Sequence, residues 1–121
     1  MRNPRAFGKP LVVGAPAPLT EIPFKPSRMI HFFPPHLEKV RAKIPQIAPT
    51  VDVMLGNLED AIPTERKIDA REGLIKIARD VDFGDTQLWT RVNSLDSPWL
   101  LDDLIRLVGE IGDKLDVIMI P

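Results

Sequence analysis

Four short apolar runs alternate with three stretches in which apolar residues return at helical spacing. Met29-Ile30-His31-Phe32-Phe33 is the first run and stops at Pro34-Pro35; Val51 to Leu58, Leu88 to Val92 and Leu115 to Ile120 follow. Each is bounded by breakers or charges, as buried strands are. Between the first two, Leu37, Val40, Ile44 and Ile47 fall on one stripe of a helix, which Pro45 should kink or end. Ile68, Leu74, Ile75 and Ala78 form a second stripe, with Thr64 as its expected N-cap and Glu65 in the first turn. Leu100, Leu104, Val108 and Ile111 form a third, introduced by Ser97-Pro98 as N-cap and first-turn proline and ended by Gly112-Asp113-Lys114. Gly84-Asp85 marks a turn.

The strands are near-continuous apolar runs rather than alternating ones. That pattern belongs to a parallel sheet covered on both faces. Strand then helix, three times, then a strand gives the α/β class. Two architectures fit: a doubly wound sheet of four strands, or the N-terminal half of a (β/α)8 barrel with four parallel strands and three helices. The last run closes on Ile120-Pro121 with no covering helix, which leaves a sticky edge. A whole barrel takes about 250 residues. The expectation is therefore a partial barrel domain over 29–121, truncated after its fourth strand.

Composition changes the picture at the N-terminal end. Ten of the 13 prolines precede residue 50, so residues 1–28 read as an extended Pro-rich arm. Leu11-Val12-Val13 and Ile22-Pro23-Phe24 are apolar enough to pack on something. Residues 1–50 hold eight basic and two acidic side chains, residues 51–121 eight basic and fifteen acidic. Such a split fits an arm that docks an anionic partner, or one that wraps an acidic surface. With no Cys, a disulfide scaffold, a Cys-based zinc site and a Cys nucleophile are excluded. No apolar run is long enough to span a bilayer. Met1-Arg2-Asn3-Pro4 opens no secretory leader, so a cytoplasmic location is the default. Neither phosphate-binding glycine motif occurs. A net charge of −1 without aromatic–basic interleaving argues against nucleic acid.

Parallel α/β folds bind ligands at the carboxyl ends of their strands. Those ends carry Phe32-Phe33-Pro34-Pro35-His36, then Asn57-Leu58-Glu59-Asp60, then Arg91 and Asn93. A guanidinium inside an apolar strand needs partners. Arg91 is either a fixed cation for a carboxylate or enolate oxygen, or an ion-pair partner of Glu59 or Asp60, or both. Glu59-Asp60 would orient Arg91 or stand beside a divalent cation; ordinary turn chemistry before Pro63 is the plainer account. His36 could contact substrate or act as a base, although a lone histidine at a helix start is more often incidental. Lys39, Arg41 and Lys43 could hold phosphates or simply face solvent. Trp89 and Trp99 read as packing residues.

Taken together, His31-Phe32-Phe33-Pro34-Pro35-His36, Gly56-Asn57-Leu58-Glu59-Asp60-Ala61-Ile62-Pro63, Trp89-Thr90-Arg91-Val92-Asn93 and Leu115-Asp116-Val117-Ile118-Met119-Ile120-Pro121 resemble the HpcH/HpaI aldolase and citrate lyase beta-subunit family. The resemblance runs in register from about residue 10 to the last residue. It implies a (β/α)8 barrel and a Mg2+-dependent (or Mn2+-dependent) reversible carbon–carbon lyase. Such an enzyme cleaves malyl-CoA to acetyl-CoA and glyoxylate, and β-methylmalyl-CoA to propionyl-CoA and glyoxylate. Citramalyl-CoA cleavage and a citrate lyase beta-like activity are the alternatives, and outside the enzymes a non-catalytic binding module with a basic docking arm. By the same resemblance Arg91 is the catalytic cation. Phe32 and Phe33 line the acyl-CoA site. Lys43 holds coenzyme A phosphates, with Lys39 or His36 sharing that task. Glu59 and Asp60 stand near the metal, whose direct ligands are expected beyond Pro121. The resemblance further implies a homo-oligomer (trimer or hexamer) when full length and an inactive 121-residue fragment.

Overall fold

A computed structural model describes residues 27–121. The expected arm over 1–28, with its two apolar segments, lies outside the described residues apart from Ser27 and Arg28. The elements are β1 (Ile30–Phe33), α1 (Glu38–Arg41), α2 (Ile44–Ile47), β2 (Val53–Asn57), α3 (Lys67–Asp80), β3 (Gln87–Arg91), α4 (Leu100–Ile111) and β4 (Val117–Met119). Short 3-10 turns at Ala48–Thr50 and Thr64–Arg66 lead into β2 and α3.

All four strands are parallel and lie in the order β1-β2-β3-β4. This order separates the two architectures left open by the pattern. A doubly wound sheet reverses its strand order at a switch point. Here each strand is added on the same side of its predecessor, so right-handed crossovers bring every helix to one face. The arrangement is that of the first four strands of a barrel.

Register sorts the side chains between the faces. Phe33, Met54, Leu88, Val92 and Ile118 pack with Leu74, Ala78, Leu107 and Ile111 of α3 and α4 in the main core. On the opposite face Phe32, Leu55, Trp89 and Val117 are paired across the four strands. Beyond them, at the carboxyl ends, Asn57, Arg91 and Met119 form the next row. Gly56 packs closely under α3: a Cβ there would lie 2.6 Å from Leu74 Cδ1, so that side chain would have to shift. Gly84 takes the expected turn, with φ +55°.

Several local expectations need correction. The first helical stripe is two four-residue helices broken at residues 42–43, just ahead of Pro45, which sits in the first turn of α2. Thr64 caps nothing through its side chain; it begins a 3-10 turn, and α3 starts at Lys67. Ser97 is likewise not the cap of α4, which is Trp99, and the Ser97 hydroxyl is buried without a partner. Ile68 and Val108 are exposed, at 59% and 56%. The other expected stripe residues, Leu74, Ile75 and Ala78 on α3 and Leu100, Leu104 and Ile111 on α4, do pack in the core, and Lys67, Ala70, Arg71, Asp103 and Leu107 are buried beside them. Charged residues thus share the core-facing positions. Leu101, Ile105 and Val108 make an exposed apolar line on α4.

Candidate functional site

The carboxyl end of the sheet gathers the charged groups. Arg91, the last residue of β3, places Nη2 2.7 Å from Glu59 Oε2 and Nη1 3.0 Å from Asp60 Oδ2. The Glu59 contact is an ion pair rather than an aligned hydrogen bond, since Oε2 is buried with its hydrogen-bonding capacity unfilled. Arg91 and Glu59 are each about one-quarter exposed. Two contacts leave part of the five-donor guanidinium free for another anion.

The loop carrying the two carboxylates is built from Asn57. Its side-chain amide donates to Asp60 Oδ1 at 2.7 Å, and its oxygen accepts the Glu59 N–H at 2.9 Å. The Leu58 N–H continues the ladder to the Arg91 carbonyl at 2.9 Å. The Asn57 amide, and then Arg91, hold the Asp60 carboxyl below the usual carboxylate range.

Behind this rim α3 sends in two buried cations one turn apart. Lys67 Nζ donates to the carbonyls of Leu58 (3.0 Å) and Glu59 (2.5 Å), and lies 5.6 Å from the centre of the Trp99 ring. Burial pushes its ammonium pKa down, against the pull of Glu59, Asp103 and Asp60. Arg71 Nε donates to Asp103 Oδ1 at 2.8 Å. Asp103 Oδ2 accepts from the backbone and side-chain N–H groups of Asn93, two residues beyond Arg91. Arg71 and Asp103 are 6% and 0% exposed, so the pair is desolvated and must be satisfied in place.

The other candidates are placed differently. Phe32 stands half-exposed on the Arg91 face of the sheet, whereas Phe33 turns into the core with 1% exposure. His36 lines a shallow groove of about 260 Å³ with Arg41, Arg66, Asp69, Glu72 and Lys76; Arg91, Glu59 and Asp60 do not line it. Burial, and then the Arg66 charge, lower the His36 pKa. Lys39 and Lys43 are exposed on the α1–α2 segment, while Arg41 donates to the Pro35 carbonyl at 2.9 Å. Trp89 hydrogen-bonds Gln87, in keeping with a packing role.

The site residues that hydropathy missed are Lys67, Arg71 and Asp103. A signal was present: Lys67 and Arg71 are i, i+4 within the apolar stripe of α3, where a solvated charge has no place. For a divalent cation the described residues do not fit. Among them no group of three or more His, Asp or Glu could hold a metal ion. Glu59 and Asp60 are given to a guanidinium instead.

Residues 29–121 match the family model described as HpcH/HpaI aldolase/citrate lyase. The chain belongs to that family. Among curated proteins it is 59% identical over 115 residues to the malyl-CoA/beta-methylmalyl-CoA/citramalyl-CoA lyase of Chloroflexus aurantiacus, covering 95% of this chain and 33% of that protein. It is 35% identical over 106 residues to an L-malyl-CoA/beta-methylmalyl-CoA lyase of Cereibacter sphaeroides (88% of this chain, 31% of that one). A (3S)-malyl-CoA thioesterase of the same species is 34% identical over 96 residues (79% and 32%). The chain thus spans about a third of the length of these relatives. Among the described residues no helix is long and apolar enough to cross a membrane.

Proposed function

We propose that this HpcH/HpaI family member serves a carbon–carbon lyase acting on malyl-CoA-type thioesters, with Arg91 as the cation that meets the charge developed in the reaction. The observation that carries the reading is the guanidinium at the carboxyl end of β3, held between Glu59 and Asp60 with donors to spare. In the cleavage the substrate hydroxyl loses its proton and the adjacent carbon–carbon bond breaks. Its electron pair passes to the thioester carbonyl, giving an enolate that is then protonated at carbon. The products are glyoxylate and acetyl-CoA. A guanidinium fixed before the reaction lowers the cost of that charge because it need not reorganise. Phe32 offers an apolar wall on the same face, and Lys39, Lys43 or His36 would meet coenzyme A phosphates. The (3S)-malyl-CoA thioesterase relative supports a second reading, hydrolysis of the same thioester to malate and free coenzyme A. Mg2+ or Mn2+ dependence, a cytoplasmic location and assembly as a homo-oligomer accompany the lyase reading and rest on family resemblance.

Protein expressed from its native coding sequence should convert malyl-CoA to acetyl-CoA and glyoxylate, followed by chromatography of the thioesters. Arg91→Ala should lower kcat by about 10²–10³-fold, as loss of one charge-stabilising donor does. Malate with free coenzyme A as the products would select the thioesterase; no turnover of malyl-, β-methylmalyl- or citramalyl-CoA, or a fully active Arg91→Ala variant, would overturn the proposal.

A further inference from the structure

We infer that Lys67 is a positioning residue for the Arg91 site, acting through the backbone of the loop that bears Glu59. The ammonium has three donors and no acceptor. Two of them take the Leu58 and Glu59 carbonyls, and the Trp99 ring stands over the nitrogen. Leu58 is held from both sides, since its N–H donates to the Arg91 carbonyl while its own carbonyl takes the Lys67 ammonium. Glu59 is held similarly, by Asn57 at its N–H and Lys67 at its carbonyl. The residue that carries the carboxylate partner of Arg91 therefore has its backbone fixed at both ends. Lys67 itself is 8% exposed and spends its donors on main-chain carbonyls, so its effect reaches Arg91 through the backbone of Leu58 and Glu59.

The length of the lever matters. Arg91 and Glu59 meet at 2.7 Å, and a misplacement of about 1 Å in a reacting constellation costs on the order of 10²-fold in rate. Removing the ammonium leaves the Leu58 carbonyl seeking another donor and the Glu59 carbonyl with the Ile62 N–H at 3.2 Å, which loosens the loop. A role confined to folding would change stability and leave the chemistry of the folded fraction alone.

This inference rests on the lyase reading for its kinetic arm and on geometry for its structural arm. In the protein from its native coding sequence, Lys67→Met should lower kcat for malyl-CoA cleavage by about 10–100-fold with KM little changed. In an E59Q background the same substitution should cost less than about 3-fold, because the two act as one unit. A crystal structure of the Lys67→Met variant should show the Arg91–Glu59 contact opened beyond the 2.7 Å found here. Lys67→Gln, which keeps one amide donor, takes its place if the methionine variant does not fold. Unchanged kcat, equal losses in both backgrounds, or an undisturbed Arg91–Glu59 contact would overturn the inference. If wild-type protein cleaves no malyl-CoA, the lyase reading fails and the crystal structure alone decides the role of Lys67.

Discussion

The two ends of the sheet use carboxylates with different emphasis. At the amino ends, Asp52 and Asp116 each stand one residue before their own strand and reach the start of the strand before it. Asp52 accepts the N–H groups of Arg28 and Met29 as well as the Arg28 guanidinium, and Asp116 accepts the Leu88 N–H. These acids stitch backbone. At the carboxyl ends, Glu59, Asp60 and Asp103 hold side-chain cations, two of them buried or half-buried between elements. One rim spends charge on keeping strands in register; the other stores charge where a ligand of an α/β fold arrives.

The sharpest way to break this contrast is at Asp103. Asp103→Ala leaves the Arg71 guanidinium buried without a counter-charge and should cost about 3–5 kcal/mol of stability in urea denaturation. The paired change R71M/D103L should return part of it, since the uncompensated charge is gone while the Asn93 donors stay unmet. A loss for Asp103→Ala no larger than that for Asp52→Asn would erase the distinction. Gly73 comes next. A Cβ there would lie 2.2 Å from the Pro35 carbonyl oxygen, which is backbone and also accepts from Arg41. Gly73→Ala should therefore destabilise by about 1–3 kcal/mol, the range of an overpacked site.

The smallest effect belongs to the amino-end stitch. The Arg28 guanidinium, with the Met29 and Arg28 N–H groups, holds the Asp52 carboxyl below its ordinary value of 3.8. Its contribution is present above that value and fades as pH falls through the lower native one. Thermal melts between about pH 2 and pH 7 should show a shallower acid limb for Asp52→Asn than for wild type. At neutral pH the variant should melt only slightly lower. An unchanged acid limb would show that the stitch adds nothing to stability.

Much of the fold was legible because the strands read as apolar runs, although burial on both faces, expected of all four, holds among the described strands for Val53–Asn57 alone. Leu88 to Val92 lies one residue from the bounds of β3, Gln87–Arg91, whereas Leu115 to Ile120 overruns β4, Val117–Met119, at both ends. Strand order was not legible, since periodicity places elements without saying which neighbours pair. Arg91 with Glu59 and Asp60 was foreseeable from the cost of a cation in an apolar strand. Lys67, Arg71 and Asp103 were not, because hydropathy assigns charges to solvent and gave Ile68 and Val108 the core-facing places instead. Thr64 and Ser97 failed as caps for a related reason. Their residue type fits, but short turns intervene before each helix begins.

The order of the strands also bears on how the molecule assembles. Ile30 pairs with Val53, Val53 with Gln87 and Trp89 with Val117, so every strand closes on the one made just before it. Among the described residues no pairing waits for a distant segment, and each closure spans one loop-sized length, for which doubling the length adds only about 0.6 kcal/mol. A chain emerging from the ribosome can lay down this sheet in the sequence in which it is translated, each new strand finding its template already in place.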